Sequence, residues 1–182
     1  YYLYQFDHQI RRHYMEGTFK EGLGLVPQIM EVIENNTYNW DDHRIMIFHY
    51  RIACLYFGSG DNDTAIDYLN EIINMRSGIY REDLLINTRL LHALCNFELT
   101  NYSLVGYHIN SVSRLLNRSR ETAEVHKLAI SGLRRLLKAP IAEHGEVYEK
   151  LREEVALVAE QPFEHKALAY FDLSSWVARH IN

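Results

Sequence analysis

Residues 45–77 read IMIFHYRIACLYFGSGDNDTAIDYLNEIINMRS, and this stretch decides the fold. Ile45, Phe48, Ile52, Leu55 and Tyr56 recur at helical spacing, and Ala65, Ile66, Leu69, Ile72 and Ile73 do so again further on. That period gathers each set on one face of an α-helix. Between the two sets lies Gly58-Ser59-Gly60-Asp61-Asn62-Asp63. A glycine just past a helix supplies the left-handed backbone that reverses the chain, and Asp or Asn oxygens accept from the free N–H groups of the helix that follows. The stretch therefore predicts an antiparallel helix pair, each helix with one apolar stripe.

Within this pair Ala53, Tyr56, Gly60-Asp61 and Ala65 follow one another in an order and spacing that resembles a tetratricopeptide repeat. The physical logic agrees, because Ala53 and Ala65 are small enough to let two helix backbones approach while Tyr56 fills the space beside them. Leu69 and Ser77 stand where that family often has an aromatic residue and a proline.

The rest of the chain fits the same plan. With 182 residues, 47% of them hydrophobic and 24% charged, it has the size and composition of one folded domain. A chain of that length removes roughly 70% of its extended surface from water. The net charge of −5 argues against nucleic acid as a partner, since phosphate neutralisation needs a basic protein face. No apolar run reaches the roughly 20 residues that span a bilayer, so no membrane partner is expected. Proline is scarce, at three residues, and strand-like alternation is missing, which predicts an all-α fold.

Outward from the central pair, helices are expected over 1–16 and 20–34, with Gly17-Thr18-Phe19 as their turn and Pro27 kinking the second or marking a late start. An aspartate of Asp41-Asp42 should cap the helix of the central pair. A third pair begins near Arg81, with Ala93 standing for Ala53, Asn101-Tyr102 for the turn and Val105 for Ala65, about forty residues on. A fourth spans 120–138 and 146–160, broken at Pro140, and a last helix over 162–180 carries Leu168, Phe171, Leu173, Trp176 and Val177. The expected architecture is an α-α superhelix of about four antiparallel pairs, with units near 1–36, 41–77, 81–118 and 120–160. A capping helix over 162–181 would close it.

Motifs for chemistry are sparse. Ten histidines invite a metal hypothesis, but His8/His13 and His43/His49 lack the i,i+4 or i,i+3 spacing of a helical metal pair, and no His-Glu-x-x-His occurs. No Gly-x-Ser-x-Gly and no phosphate-binding glycine loop is present, and Gly22-Leu23-Gly24 lies inside an amphipathic helix. Asp41/Asp42 and Glu153/Glu154 suit capping or solvation better than acid–base work. Neither catalytic residues nor a cofactor is expected. Cys54 and Cys95 read as buried reduced thiols, which points to a reducing, cytoplasmic location. The sequons at Asn35, Asn62, Asn101 and Asn117 lie at helix junctions, where capping explains them.

The resemblance implies a curved array whose first helices line a concave face, acting as a scaffold that binds a partner peptide or helix. Carried onto this chain, the groove positions are Asp7, His8, Arg11 and Tyr14 in the first unit and Tyr50, Arg51 and Phe57 in the second. In the third unit Leu90, Leu91 and Leu94 make those positions apolar. A helical sensor domain, a small-ligand-binding protein and a helical enzyme are the opposing expectations. The aromatic start, Tyr1-Tyr2-Leu3-Tyr4-Gln5-Phe6, is costly to leave in water. It raises two further expectations: that the chain is the C-terminal part of a longer protein, and that it forms a homodimer through its first helix.

Overall fold

In the computed structural model, residues 2–75, 82–119 and 123–181 are described, the side chains of Tyr2 and Leu3 excepted. Every regular element among them is helical: α1 (Tyr2–Glu16), α2 (Phe19–Gly22), α3 (Val26–Glu34), α4 (Asp42–Ser59), α5 (Asn62–Asn74), α6 (Glu82–Glu98), α7 (Tyr102–Leu116), α8 (Glu124–Lys138), α9 (His144–Ala159), α10 (His165–Tyr170) and α11 (Leu173–Ala178). Short 3-10 turns cover Leu23–Leu25, Ile141–Glu143 and Pro162–Glu164. The fold is all-α, and consecutive helices pack as hairpins. Two compact units divide the chain, residues 1–88 and 89–182, with the boundary inside α6.

The first unit is built around the hairpin of α4 and α5. Asp41 caps α4, its carboxylate accepting from the Arg44 amide at 2.9 Å. The helix ends on Gly60 at φ +92°, and the Asp61 amide bonds back to the Tyr56 carbonyl at 3.0 Å. Asp61 then caps α5, accepting from the Thr64 amide at 3.1 Å and from the Thr64 hydroxyl at 2.8 Å. Ala53 and Ala65 are fully buried between the two helices, and the rings of Tyr56 and Tyr68 stack at 5.6 Å beside them. Phe6 and Ile10 of α1, Val26 and Ile29 of α3, Trp40, and Phe48, Ile52 and Leu55 of α4 form one apolar core. Trp40 lies flat on Phe48, with ring centroids 4.7 Å apart. Each such side chain contributes about 1.5–3 kcal/mol on leaving water.

The partner of α1 is not one helix. Pro27 has no N–H to continue a ladder and occupies the first turn of α3, so the chain runs through a 3-10 turn at Leu23–Leu25 before the helix restarts. The end of α5 at Asn74 precedes Arg76 and Ser77, which lie outside the described residues along with the expected start of the third unit at Arg81.

In the second unit α8 packs on α9 and α9 on α11. A Cβ at Gly132 of α8 would stand 2.6 Å from Leu151 Cδ2 of α9, so the missing side chain sets how closely this pair meets. Arg135 and Glu154 bridge the same two helices through two hydrogen bonds, at 2.6 and 3.3 Å. Glu164 is buried and caps α8 from a distance, accepting from the amides of Glu124 at 2.9 Å and Val125 at 3.1 Å. The single helix expected over 162–180 is broken. Phe171 turns extended (φ −134°, ψ 93°) to bury its ring, and Asp172 starts α11 afresh by capping the Ser175 amide at 3.0 Å. The expected helix over 120–138 begins at Glu124, residues 120–122 lying outside the described chain.

The sequon asparagines lie at helix junctions as expected, with Asn35, Asn101 and Asn117 in cap positions, but their side chains do not cap the helices. Asn101 precedes α7 without a side-chain cap, Asn62 lies inside α5 after the capping Asp61, and Asn35 and Asn117 end α3 and α7 in right-handed conformation. The left-handed residues at the α3–α4 and α6–α7 junctions are Asn36, Asn39 and Thr100, at φ 48°, 50° and 60°. Thr100 is the counterpart of Gly60, but β-branched, and a left-handed conformation costs such a residue roughly 1–2 kcal/mol. Replacing Thr100 with Gly is expected to raise stability by about 1 kcal/mol, and Gly60→Ala to lower it by about as much. Urea unfolding of the two variants measures both, and equal signs would refute the equivalence of the two turns.

Candidate functional site

Of the seven groove positions, Asp7 and Arg51 meet each other. The Arg51 guanidinium pairs with the Asp7 carboxylate and donates to the Asp7 backbone carbonyl at 3.4 Å, closing α1 onto α4. Arg51 keeps only 14% of its side chain exposed, so its charge is directed into the fold. Tyr50 and Phe57 are buried, at 2% and 8% exposure. Tyr14 is half-buried, edge-on to Phe19. His8 and Arg11 remain exposed on α1. Leu90, Leu91 and Leu94 are buried, so the apolar positions of the third pair form core. At the aromatic N-terminus Phe6 belongs to the core and Tyr4 is 78% exposed, while the side chains of Tyr1 and Tyr2 lie outside the described residues.

Two polar clusters lie inside the second unit. His92 and His108 stack at 3.9 Å, and Asn96 donates to His92 Nδ1 at 2.7 Å and to its carbonyl at 2.9 Å. Burial pushes His108 down to about 3, helped by His92 and Arg89 nearby, and burial also lowers His92. In the second cluster Glu98 accepts from Trp176 Nε1 at 2.7 Å and His180 Nε2 at 2.8 Å, while Tyr148 stacks flat on His180. Burial alone would raise the Glu98 carboxyl, yet these two donors hold it below its usual range. Burial and the Glu98 charge raise the Tyr148 hydroxyl. The Glu98 cluster is satisfied within itself, which suits joining helices more than holding a ligand, whereas His108 Nδ1 of the first cluster is buried without a hydrogen-bond partner. Among the described residues no three His, Cys, Asp or Glu side chains are placed to hold a metal ion, and no helix is long and apolar enough to cross a membrane.

An open cleft of about 840 Å³ lies between α7 and α8. Its polar lining on α8 is Lys127, Ser131, Arg134, Arg135 and Lys138; α7 and its C-terminal turn add Ser113, Asn117 and Ser119, and Leu116 and Ile130 supply the apolar part. None of the lining residues is a carboxylate. The protein carries 24 acidic side chains against 19 Lys and Arg, and of the four cations at this cleft Lys127 and Arg135 are paired with Glu124 and Glu154, which leaves Arg134 and Lys138 as its unpaired charges among the described residues. Arg134 reaches across the cleft, donating from Nη2 to Ser113 Oγ at 3.1 Å, and that hydroxyl in turn donates to the Ile109 carbonyl at 2.9 Å. The long guanidinium is thereby held in place before any ligand arrives.

Compared with known protein families, characterised proteins and solved structures, the chain matches none at a significant level.

The cleft left a trace in the sequence. Lys127, Ser131, Arg134 and Lys138 are spaced i, i+4, i+7 and i+11, which is one face of a helix. That periodicity is the polar complement of the apolar stripe, and polar stripes are usually read as solvated surface. The partner wall on α7 is what makes a concavity of it.

The buried histidines have a thermodynamic consequence. His49 of α4, like His92 and His108, is lowered by burial. The unfolded chain takes up protons on these rings near pH 6.5, whereas the folded chain holds them neutral to lower pH, His108 to about 3, so stability falls as pH drops below about 6.5. Each such ring contributes a slope of up to about 1.4 kcal/mol per pH unit. Thermal unfolding between pH 7.5 and 5 should show a falling melting temperature, with a shallower fall in His108→Gln. An unchanged slope in that variant would move the acid sensitivity elsewhere.

Proposed function

We propose that the chain is a helical-hairpin interaction module, similar in plan to tetratricopeptide repeats, that docks an acidic segment of a partner protein in the α7–α8 cleft. The observation that carries this reading is the cleft's lining: Arg134 and Lys138 face it without a carboxylate partner among the described residues, beside three serines and an asparagine, in a protein of net charge −5. Cations and hydroxyl donors on rigid helices recognise anionic groups, and charge-assisted hydrogen bonds are the stronger kind. The Gly60-Asp61 turn and the buried pair Ala53 and Ala65 support the likeness to tetratricopeptide repeats. Buried cysteine side chains at Cys54 and Cys95, packed as small apolar core residues, support a reducing compartment such as the cytoplasm.

The groove inferred from α1 and α4 takes a lesser place in this reading. Its Arg51 is engaged with Asp7, and its Tyr50 and Phe57 are core, which leaves His8 and Arg11 as its exposed members.

Fluorescence anisotropy with labelled octaglutamate and octalysine peptides tests the assignment. Net charge alone favours the cationic peptide, so preferential binding of octaglutamate reports a local site. The Arg134→Ala/Lys138→Ala variant should lose about tenfold or more in affinity, and Arg11→Ala little. Binding should weaken between 50 and 200 mM salt. A preference for octalysine, or equal binding by wild type and the double variant, would overturn the cleft as the docking site.

A further inference from the structure

Of the four cations at the cleft, two are already neutralised. Lys127 Nζ pairs with Glu124 Oε1 at 2.6 Å, and Arg135 grips Glu154 through two bonds. Arg134 and Lys138 have no carboxylate partner among the described residues. Two unit charges therefore face an open space, and one of them is already aimed across it by Ser113.

The charge balance selects the ligand. A single carboxylate carries one negative charge, so an acidic segment would have to place two of them in the cleft at once to meet both cations. A phosphate monoester carries about −1.5 to −2 at neutral pH and presents three acceptor oxygens. Arg134 has one of its five N–H donors committed to Ser113 and keeps the others for a ligand. Lys138 adds up to three donors, and the Ser131 hydroxyl, one turn before Arg134 on the same face, adds another. The opening is too large for a bare phosphate ion, whereas a phosphorylated side chain with its flanking backbone suits a cleft of about 840 Å³. Leu116 and Ile130 give the methylene part of such a side chain an apolar contact.

We infer that the α7–α8 cleft recognises a phosphoserine or phosphothreonine within the partner segment, with Arg134 and Lys138 as the phosphate-binding pair. This rests on the reading of the cleft as an acidic-segment site and names the group that occupies it. Arg134, held by Ser113, supplies the directional contact. Lys138, in the last turn of α8, supplies the second charge.

Titration with three fluorescein-labelled hexapeptides, Ala-Ala-X-Ala-Ala-Ala with X as phosphoserine, glutamate or serine, tests the assignment. The phosphopeptide should bind at least about tenfold more tightly than the glutamate peptide, and the serine peptide should not bind measurably. Arg134→Ala and Lys138→Ala should each weaken phosphopeptide binding about tenfold or more, and Ser113→Ala by less, whereas Arg11→Ala, which removes the same net charge from the other unit, should leave it unchanged. Circular dichroism melts of each variant should match those of the wild type, which checks that the substitutions leave the fold intact. Equal binding of the phosphoserine and glutamate peptides would overturn the phosphate assignment, and so would failure of the phosphopeptide to bind while octaglutamate does; in both cases the acidic-segment reading stands. Failure of octaglutamate and all three hexapeptides together would overturn both.

Discussion

Reversal of the chain at Gly60 is the constraint on which the first unit depends. Antiparallel helices can share a core only if the backbone turns back within a few residues. That requires a left-handed residue to end α4 and a fresh set of acceptors to start α5. Gly60 meets the first demand and the Asp61 carboxylate the second, with the Asp61 amide closing the turn on the Tyr56 carbonyl. Once the reversal is made, Ala53 and Ala65 let the helices close and the outer face of α4 becomes available to α1, α2 and α3. The second unit repeats the reversal at Thr100 with a residue poorly suited to it, and the Asn101 amide closes that turn on the Asn96 carbonyl at 2.8 Å.

Polar groups are buried in this fold by a consistent rule. Carboxylates that enter the interior arrive with donors already arranged around them: Asp7 with Arg51, Glu98 with Trp176 and His180, Glu164 with the two free amides at the start of α8. Histidines enter neutral instead, as at His49, His92 and His108. Both solutions avoid an uncompensated buried charge, which is the costly outcome. The paired carboxylates also tie together helices that are distant in the chain.

The α7–α8 cleft departs from that rule, and the departure is what gives it functional meaning. Lys127 and Arg135 follow it, each with a carboxylate partner, while Arg134 and Lys138 face open space, Arg134 steadied by a neutral hydroxyl. Cations near the C-terminal end of a helix also compensate its dipole, which accounts for their tolerance there but not for the concavity in front of them.

Helix pairs were legible from the sequence because their determinants are local. The apolar stripes, Gly60-Asp61 and the aspartate before α4 each act within a turn or two of helix, where spacing along the chain equals proximity in space. Breaks that depend on distant packing were not legible. The last helix splits at Phe171 because its ring is buried within the second unit; Asp172-x-x-Ser175 has the same capping pattern as Asp61-x-x-Thr64, but without a glycine before it the break is decided by that burial. The groove residues divide in the same way. Tyr50 and Phe57 have the chemistry of contact residues, and only packing decides that their surfaces face inward; Arg51 has the chemistry of an anchor, and only the position of α1 gives it Asp7 as a partner. What the sequence determined by itself was the class of fold, the reversal at Gly60-Asp61 and a polar, mostly cationic stripe on α8. Tertiary structure decided which charges found partners and which were left facing a cavity, because pairing depends on which helices become neighbours, and that is settled by burial across the whole unit.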